Sequence, residues 1–112
     1  MSKLDEKVAA YVAEAKKLNL GLDESLIHAV AKGLGPSIYK ADAETVAASD
    51  KEELARLKNN FLVKKLGLKD SPELDAAISE VIEKLGKSNK NKYRVHVYAL
   101  LAKKFKKESL YK

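Results

Sequence analysis

Ser71-Pro72-Glu73-Leu74-Asp75-Ala76-Ala77-Ile78-Ser79-Glu80-Val81-Ile82-Glu83-Lys84-Leu85-Gly86 is the stretch whose reading decides the fold. Leu74, Ala77, Ile78, Val81, Ile82 and Leu85 recur at spacings of three and four, which lines up one face of an α-helix. Ser71 is placed to cap that helix and Pro72 suits its first position, where no backbone N–H is needed. Gly86 ends it.

The same pattern continues in both directions. Toward the N-terminus, Ser49 with Glu52 reads as a capping box, opening a helix with Leu54, Leu57, Phe61 and Leu62 inward and Gly67 at its end. Asp42 starts a short turn through Val46, and Gly33-Leu34-Gly35-Pro36 supplies a turn and a short helix start. Asp23 caps a helix with Leu26, Ile27, Val30 and Ala31 inward, stopped at Gly33. Ser2 caps the first helix, with stripe Leu4, Val8, Val12, Ala15 and Leu18, and Asn19 or Gly21 takes the left-handed conformation that ends it. Toward the C-terminus, Ser88 or Asn89 begins the last helix, expected over about 89–107. The expectation is an all-α, compact bundle of about five main helices plus one or two short helical turns, one domain over residues 1–112.

Composition agrees. At 112 residues, 46% hydrophobic and 34% charged, the chain has the balance of a globular domain rather than a disordered tail. The absence of cysteine excludes a disulfide framework, thiolate metal sites and a cysteine nucleophile. No apolar run approaches the roughly 18 residues a membrane span needs, and Met1–Lys7 lacks a signal-peptide core. These points lead to an expected cytoplasmic protein with no membrane contact.

Charge is unevenly spread. Residues 86–112 hold nine Lys or Arg and one Glu, while the first 85 residues are nearly neutral. A block of one sign is either a solvated face or a contact for an anion. On a helical wheel Tyr93, Val97, Tyr98, Leu100, Leu101, Ala102 and Phe105 share an apolar arc. Lys92, His96, Lys103, Lys106 and Lys107 lie opposite with Ala99, so they are expected as an outer basic stripe and a candidate anion-binding face. Arg94 falls inside the apolar arc. It either splays outward from the first turn or reaches a carboxylate at the core edge, a task for which its planar fork is suited. Tyr93, Tyr98, Phe105 and Tyr111 interleave with these cations, a pattern compatible with single-stranded nucleic acid. The first three are needed for the core, which leaves Tyr111 free to stack.

Several strings together resemble a bacterial family of small proteins catalogued as a domain of unknown function. They are Lys7-Val8 with Tyr11–Lys17, Lys32–Tyr39, Asn60–Leu68, Ser88–Arg94, and Lys103-Lys104-Phe105 with Lys107-Glu108-Ser109. The resemblance implies a compact helical protein and brings no reaction, ligand or catalytic residue with it.

Catalytic motifs are lacking. No serine sits in a Gly-x-Ser-x-Gly elbow, and Gly33-x-Gly35-Pro36 lacks the Lys-Ser/Thr of a phosphate loop. Glu24 and His28 form an i,i+4 pair on a helix surface with no third metal ligand nearby. No metal and no cofactor is expected.

Two classes of function follow. The first is a non-catalytic binding module that presents the basic helix face to an acidic protein or a nucleic acid. The second is an enzyme or small-ligand protein with a pocket near Glu24, His28, Tyr39 and Arg94. A homodimer on spare apolar side chains such as Leu20, Leu22 and Leu68 is a third arrangement.

Overall fold

The computed structural model describes residues 3–40, 44–46, 50–86 and 92–107. Ser2, Asp42, Ser49, Ser88, Asn89 and Tyr111, given roles above, lie outside them. The order is α1 (Lys3–Lys17), α2 (Glu24–Leu34), a 3-10 turn (Gly35–Tyr39), α3 (Lys51–Leu57) running into a π-helical stretch (Lys58–Val63), α4 (Pro72–Leu85) and α5 (Arg94–Lys104). The fold is all-α, and among the described residues there is no strand. Its radius of gyration, 13.0 Å, matches a compact chain of this length.

The termini of these helices follow local chemistry. Asp50 caps α3, its carboxylate accepting from the N–H groups of Glu52 at 3.0 Å and Glu53 at 3.3 Å. The cap expected at Ser49 is therefore one residue further on. Helix α2 does not stop at Gly33 but runs to Leu34, because Gly35 is the residue that turns left-handed, with φ +63°. Both Asn19 and Gly21 have positive φ beyond α1.

The core runs through every helix, with Val8, Val30, Leu62, Ile78 and Leu101 all buried. On α1 the inward face is Val8, Tyr11 and Ala15, so the stripe is rotated toward Tyr11, and Val12 and Leu18 are only half-buried. In the π-helical stretch Phe61 and Leu62 are both buried, and the Leu66 N–H reaches back five residues to the Phe61 carbonyl at 2.9 Å. Phe61 stacks on Tyr98 with ring centroids 4.0 Å apart.

The largest departure from the sequence reading is α5. It begins at Arg94, not near residue 89, and ends at Lys104. Before it, Lys92 and Tyr93 are extended: Tyr93 bridges Thr45 in antiparallel fashion and the Val46 N–H donates to the Lys92 carbonyl at 2.8 Å. The helical turn expected through Val46 is present at Glu44, whose N–H donates to the Lys40 carbonyl at 2.8 Å, and gives way to extended backbone at Thr45. Helix α5 then packs against α1, α2 and α4 together. Val95, His96, Val97, Ala99, Leu100, Leu101 and Ala102 are all buried, so along that run the helix is partly open to solvent only at Tyr98.

Leu20 is only 1% exposed, in the connection after α1, while Leu22 and Leu68 lean half-buried on the core. These three side chains are parts of the core and its edge, not the spare apolar surface expected of them. Among the described residues the large exposed hydrophobic side chain is Tyr39. No helix described is long and apolar enough to cross a membrane.

Candidate functional site

The basic residues of the last segment divide into three groups. Lys92 (7% exposed) and His96 (0% exposed) are inside the protein, which removes them from the outer stripe. For His96 the physical reason is the position of α5, packed against three other helices; Lys92 lies before the helix, in the extended segment whose carbonyl accepts from the Val46 N–H. The signal was present in the sequence, because Val95–Ala102 contains no Lys, Arg, Asp or Glu.

Arg94 forms the second group. Its guanidinium donates to Glu53 at 2.6 Å and to the Tyr98 hydroxyl at 3.5 Å, tying the start of α5 to α3. Arg56 donates to the other oxygen of Glu53 at 3.1 Å. Burial opposes ionisation of Glu53, but the hydrogen bonds from Arg94 and Arg56 outweigh it and hold the carboxyl below its ordinary range. Of the two roles open to Arg94, the carboxylate contact is the one it fills.

The third group is the end of α5. Lys103 and Lys106 are exposed and Lys107 is half-buried. The Lys103 ammonium donates to the Gly21 carbonyl at 2.5 Å, and Lys104 pairs with Glu80 of α4. Lys103 and Lys104 line an open cleft of 560 Å³ with Leu20, Val81 and Leu100 as floor and Glu80, Glu83 and Lys84 on the rim. The cleft is bounded by Leu20 of the connection after α1 and by residues near the C-terminal ends of α4 and α5. Lys84 occupies the last turn of α4 and Lys103 and Lys104 the last turn of α5, where the helix dipole favours cations.

The alternative constellation is not assembled. His28 faces Asp5 of α1 at 3.9 Å rather than a shared pocket with Glu24. Tyr39 is 45% exposed. Arg94 lines a separate cleft of 170 Å³ with Glu53, Arg56, Leu57, Asn60 and Tyr98. Among the described residues no three His, Asp or Glu side chains gather as metal ligands.

Sequence reasoning missed the contacts around Tyr11. Its hydroxyl donates to Glu44, which also takes a hydrogen bond from Lys7 at 2.7 Å. Burial, then the Glu44 contact, pushes the Tyr11 phenol well above its ordinary range, so it stays protonated. The Tyr11 carbonyl in turn holds the His96 ring at 2.8 Å. A tyrosine at i+3 from Val8 was a signal for burial, but its carboxylate partner 33 residues away was not legible.

No curated protein matches the chain. One family model, described as "Protein of unknown function (DUF2853)", matches residues 10–109, nearly the whole sequence, and the chain belongs to that family.

Proposed function

We propose that this protein is a non-catalytic binding module that takes an acidic segment of a partner protein at the end of α5. The observation that carries this reading is Lys103. It is exposed, it lines the cleft, and its contact is the neutral Gly21 carbonyl, so its charge has no counter-ion among the described residues. Lys84 lines the same cleft, and Lys106 and Lys107 follow within one turn of chain. An acidic peptide with an apolar side chain for the floor of Leu20, Val81 and Leu100 complements both features. A nucleic acid fits less well, because Glu80 and Glu83 share the rim and a phosphate backbone carries negative charge at every step.

Titration of the protein at low salt with a Glu/Asp-rich peptide, a single-stranded RNA and a duplex DNA tests the reading. The peptide is expected to bind most tightly. The triple substitution Lys103→Gln, Lys106→Gln and Lys107→Gln is expected to weaken it about tenfold, roughly 1.4 kcal/mol, with the melting temperature unchanged. Absence of peptide binding at about 100 μM, equivalent to about −5.5 kcal/mol, refutes the proposal. Preferential RNA or DNA binding moves the function to nucleic acid.

A further inference from the structure

His96 has the chemistry of a latch between α1 and the central helix. The side chain is 0% exposed. Its Nε2 lies 2.8 Å from the Tyr11 carbonyl, an atom that can only accept, so Nε2 carries the proton in the neutral ring. That leaves Nδ1 as a bare lone pair, buried and without a hydrogen-bond partner among the described residues. The ring is enclosed edge-to-face by Tyr11 at 5.9 Å and Tyr93 at 5.5 Å, which pack on each other at 5.1 Å. Neutral imidazole suits this place. A second proton would put an N–H donor at Nδ1, where none of the described residues offers an acceptor, and a charge among aromatic rings.

The surroundings offer little to offset that charge. Burial lowers the affinity of the ring for a proton, and the Tyr11 carbonyl and the field of Glu14 on α1 oppose this only in part. Tyr11, kept protonated by burial and its contact with Glu44, faces the ring as a neutral group. On the other elements packed against α5, His28 of α2 faces Asp5 and Glu80 of α4 pairs with Lys104.

We propose that His96 is an acid-sensitive latch: taking up one proton forces its ring out of the Tyr11–Tyr93 enclosure and frees α1 from α5. The lever is the shared residue Tyr11. Its carbonyl holds His96, and its hydroxyl holds Glu44, so release at the ring also loosens the segment around Thr45 that bridges Tyr93. The other histidine, His28, is half-buried on α2, faces Asp5 and is no part of the device.

The sign follows from linkage. An unfolded or undocked histidine takes its proton near pH 6.5, whereas docked His96 resists it. Docking is therefore complete above about pH 6.5, and each unit of pH below it weakens docking by up to tenfold until the ring also titrates in place.

Amide hydrogen exchange, corrected for intrinsic pH dependence, tests this between about pH 7 and pH 5 on the full chain. Amides of α1 are expected to lose about tenfold of protection per unit below about pH 6.5, while those of α4 hold. His96→Gln keeps a side-chain donor for the Tyr11 carbonyl but cannot titrate, and should abolish the pH dependence; His28→Gln should leave it intact. Equal loss in every helix, or an unchanged dependence in His96→Gln, overturns the latch. Should His96→Gln not fold, the ring signal of the wild-type protein decides: titration at about pH 6.5 or above overturns the proposal, and resistance below it together with α1 opening sustains it.

Discussion

Helices α4 and α5 are neighbours that pack on each other, yet they obey different rules. In α4 the buried residues Leu74, Ala77, Ile78, Val81 and Leu85 form one stripe, and Glu73, Asp75, Glu80 and Glu83 lie outside it. In α5 seven residues of the eight from Val95 to Ala102 are buried in every direction. The difference is one of position. A helix at the rim needs one apolar face, whereas a helix with neighbours on three sides needs them all round. A charged residue on the wheel of α4 marks solvent. On α5 His96 and Arg94, and just before it Lys92, mark contacts inside the protein.

The most severe way to break this comparison is to put a carboxylate at matching positions. Ala99 on α5 is fully buried, whereas Ala76 on α4 is exposed. Ala99→Glu is expected to cost about 3–5 kcal/mol or prevent folding, because it buries a charge with no partner. Ala76→Glu is expected to stay within about 0.5 kcal/mol. Urea unfolding measures both. Equal, small effects would restore an outer face to α5.

Arg94 offers a smaller test of the same point. Its side chain and that of Glu53 are each 17% exposed. Arg94→Ala is expected to cost about 1–3 kcal/mol at neutral pH, through a lost charged hydrogen bond and a carboxylate left half-buried. Arg94→Lys should recover only part of this, since one ammonium cannot reach both Glu53 and Tyr98 with a planar fork. The Glu53 carboxyl titrates below its ordinary range in the fold, so its contribution is present above about pH 4.5 and fades as pH falls through the lowered value. The gap between wild type and Arg94→Ala should narrow over that acid range. A gap that stays constant down to about pH 3 would show that Glu53 is not the partner that matters.

The smallest effect is expected where α5 leaves the core. Lys104 and Glu80 are both well exposed, and their ion pair is a surface one. Lys104→Gln should change stability by about 0–1 kcal/mol, and about 0.5 M salt should erase even that. A larger loss would mean that the end of α5 is held as firmly as its middle.

Much of the architecture could be read before folding. The stripes of α2 and α4, Pro72 in the first turn of α4 and Gly86 at its end are local matters, settled by spacing and backbone freedom within a few residues, whereas the stop of α2 falls at Gly35 and not at Gly33. The candidate site was legible only at its outer edge, in Lys103, Lys106 and Lys107. Lys92 and His96 were assigned to a solvent face because a helical wheel has no knowledge of neighbours. Lys84, contributed by α4, and Leu20, contributed by the connection after α1, are brought to the cleft by packing across the chain.

The amino-acid sequence by itself determined the helical class, the two ends of α4 at Pro72 and Gly86, and the concentration of positive charge near the C-terminus, since each depends on residues close along the chain. Tertiary structure alone decided which helix is central, which cations face inward, and that Tyr11 joins His96 to Glu44. Those outcomes depend on desolvation and on partners tens of residues away. A side chain's burial is a property of everything packed around it, and no local pattern carries that information.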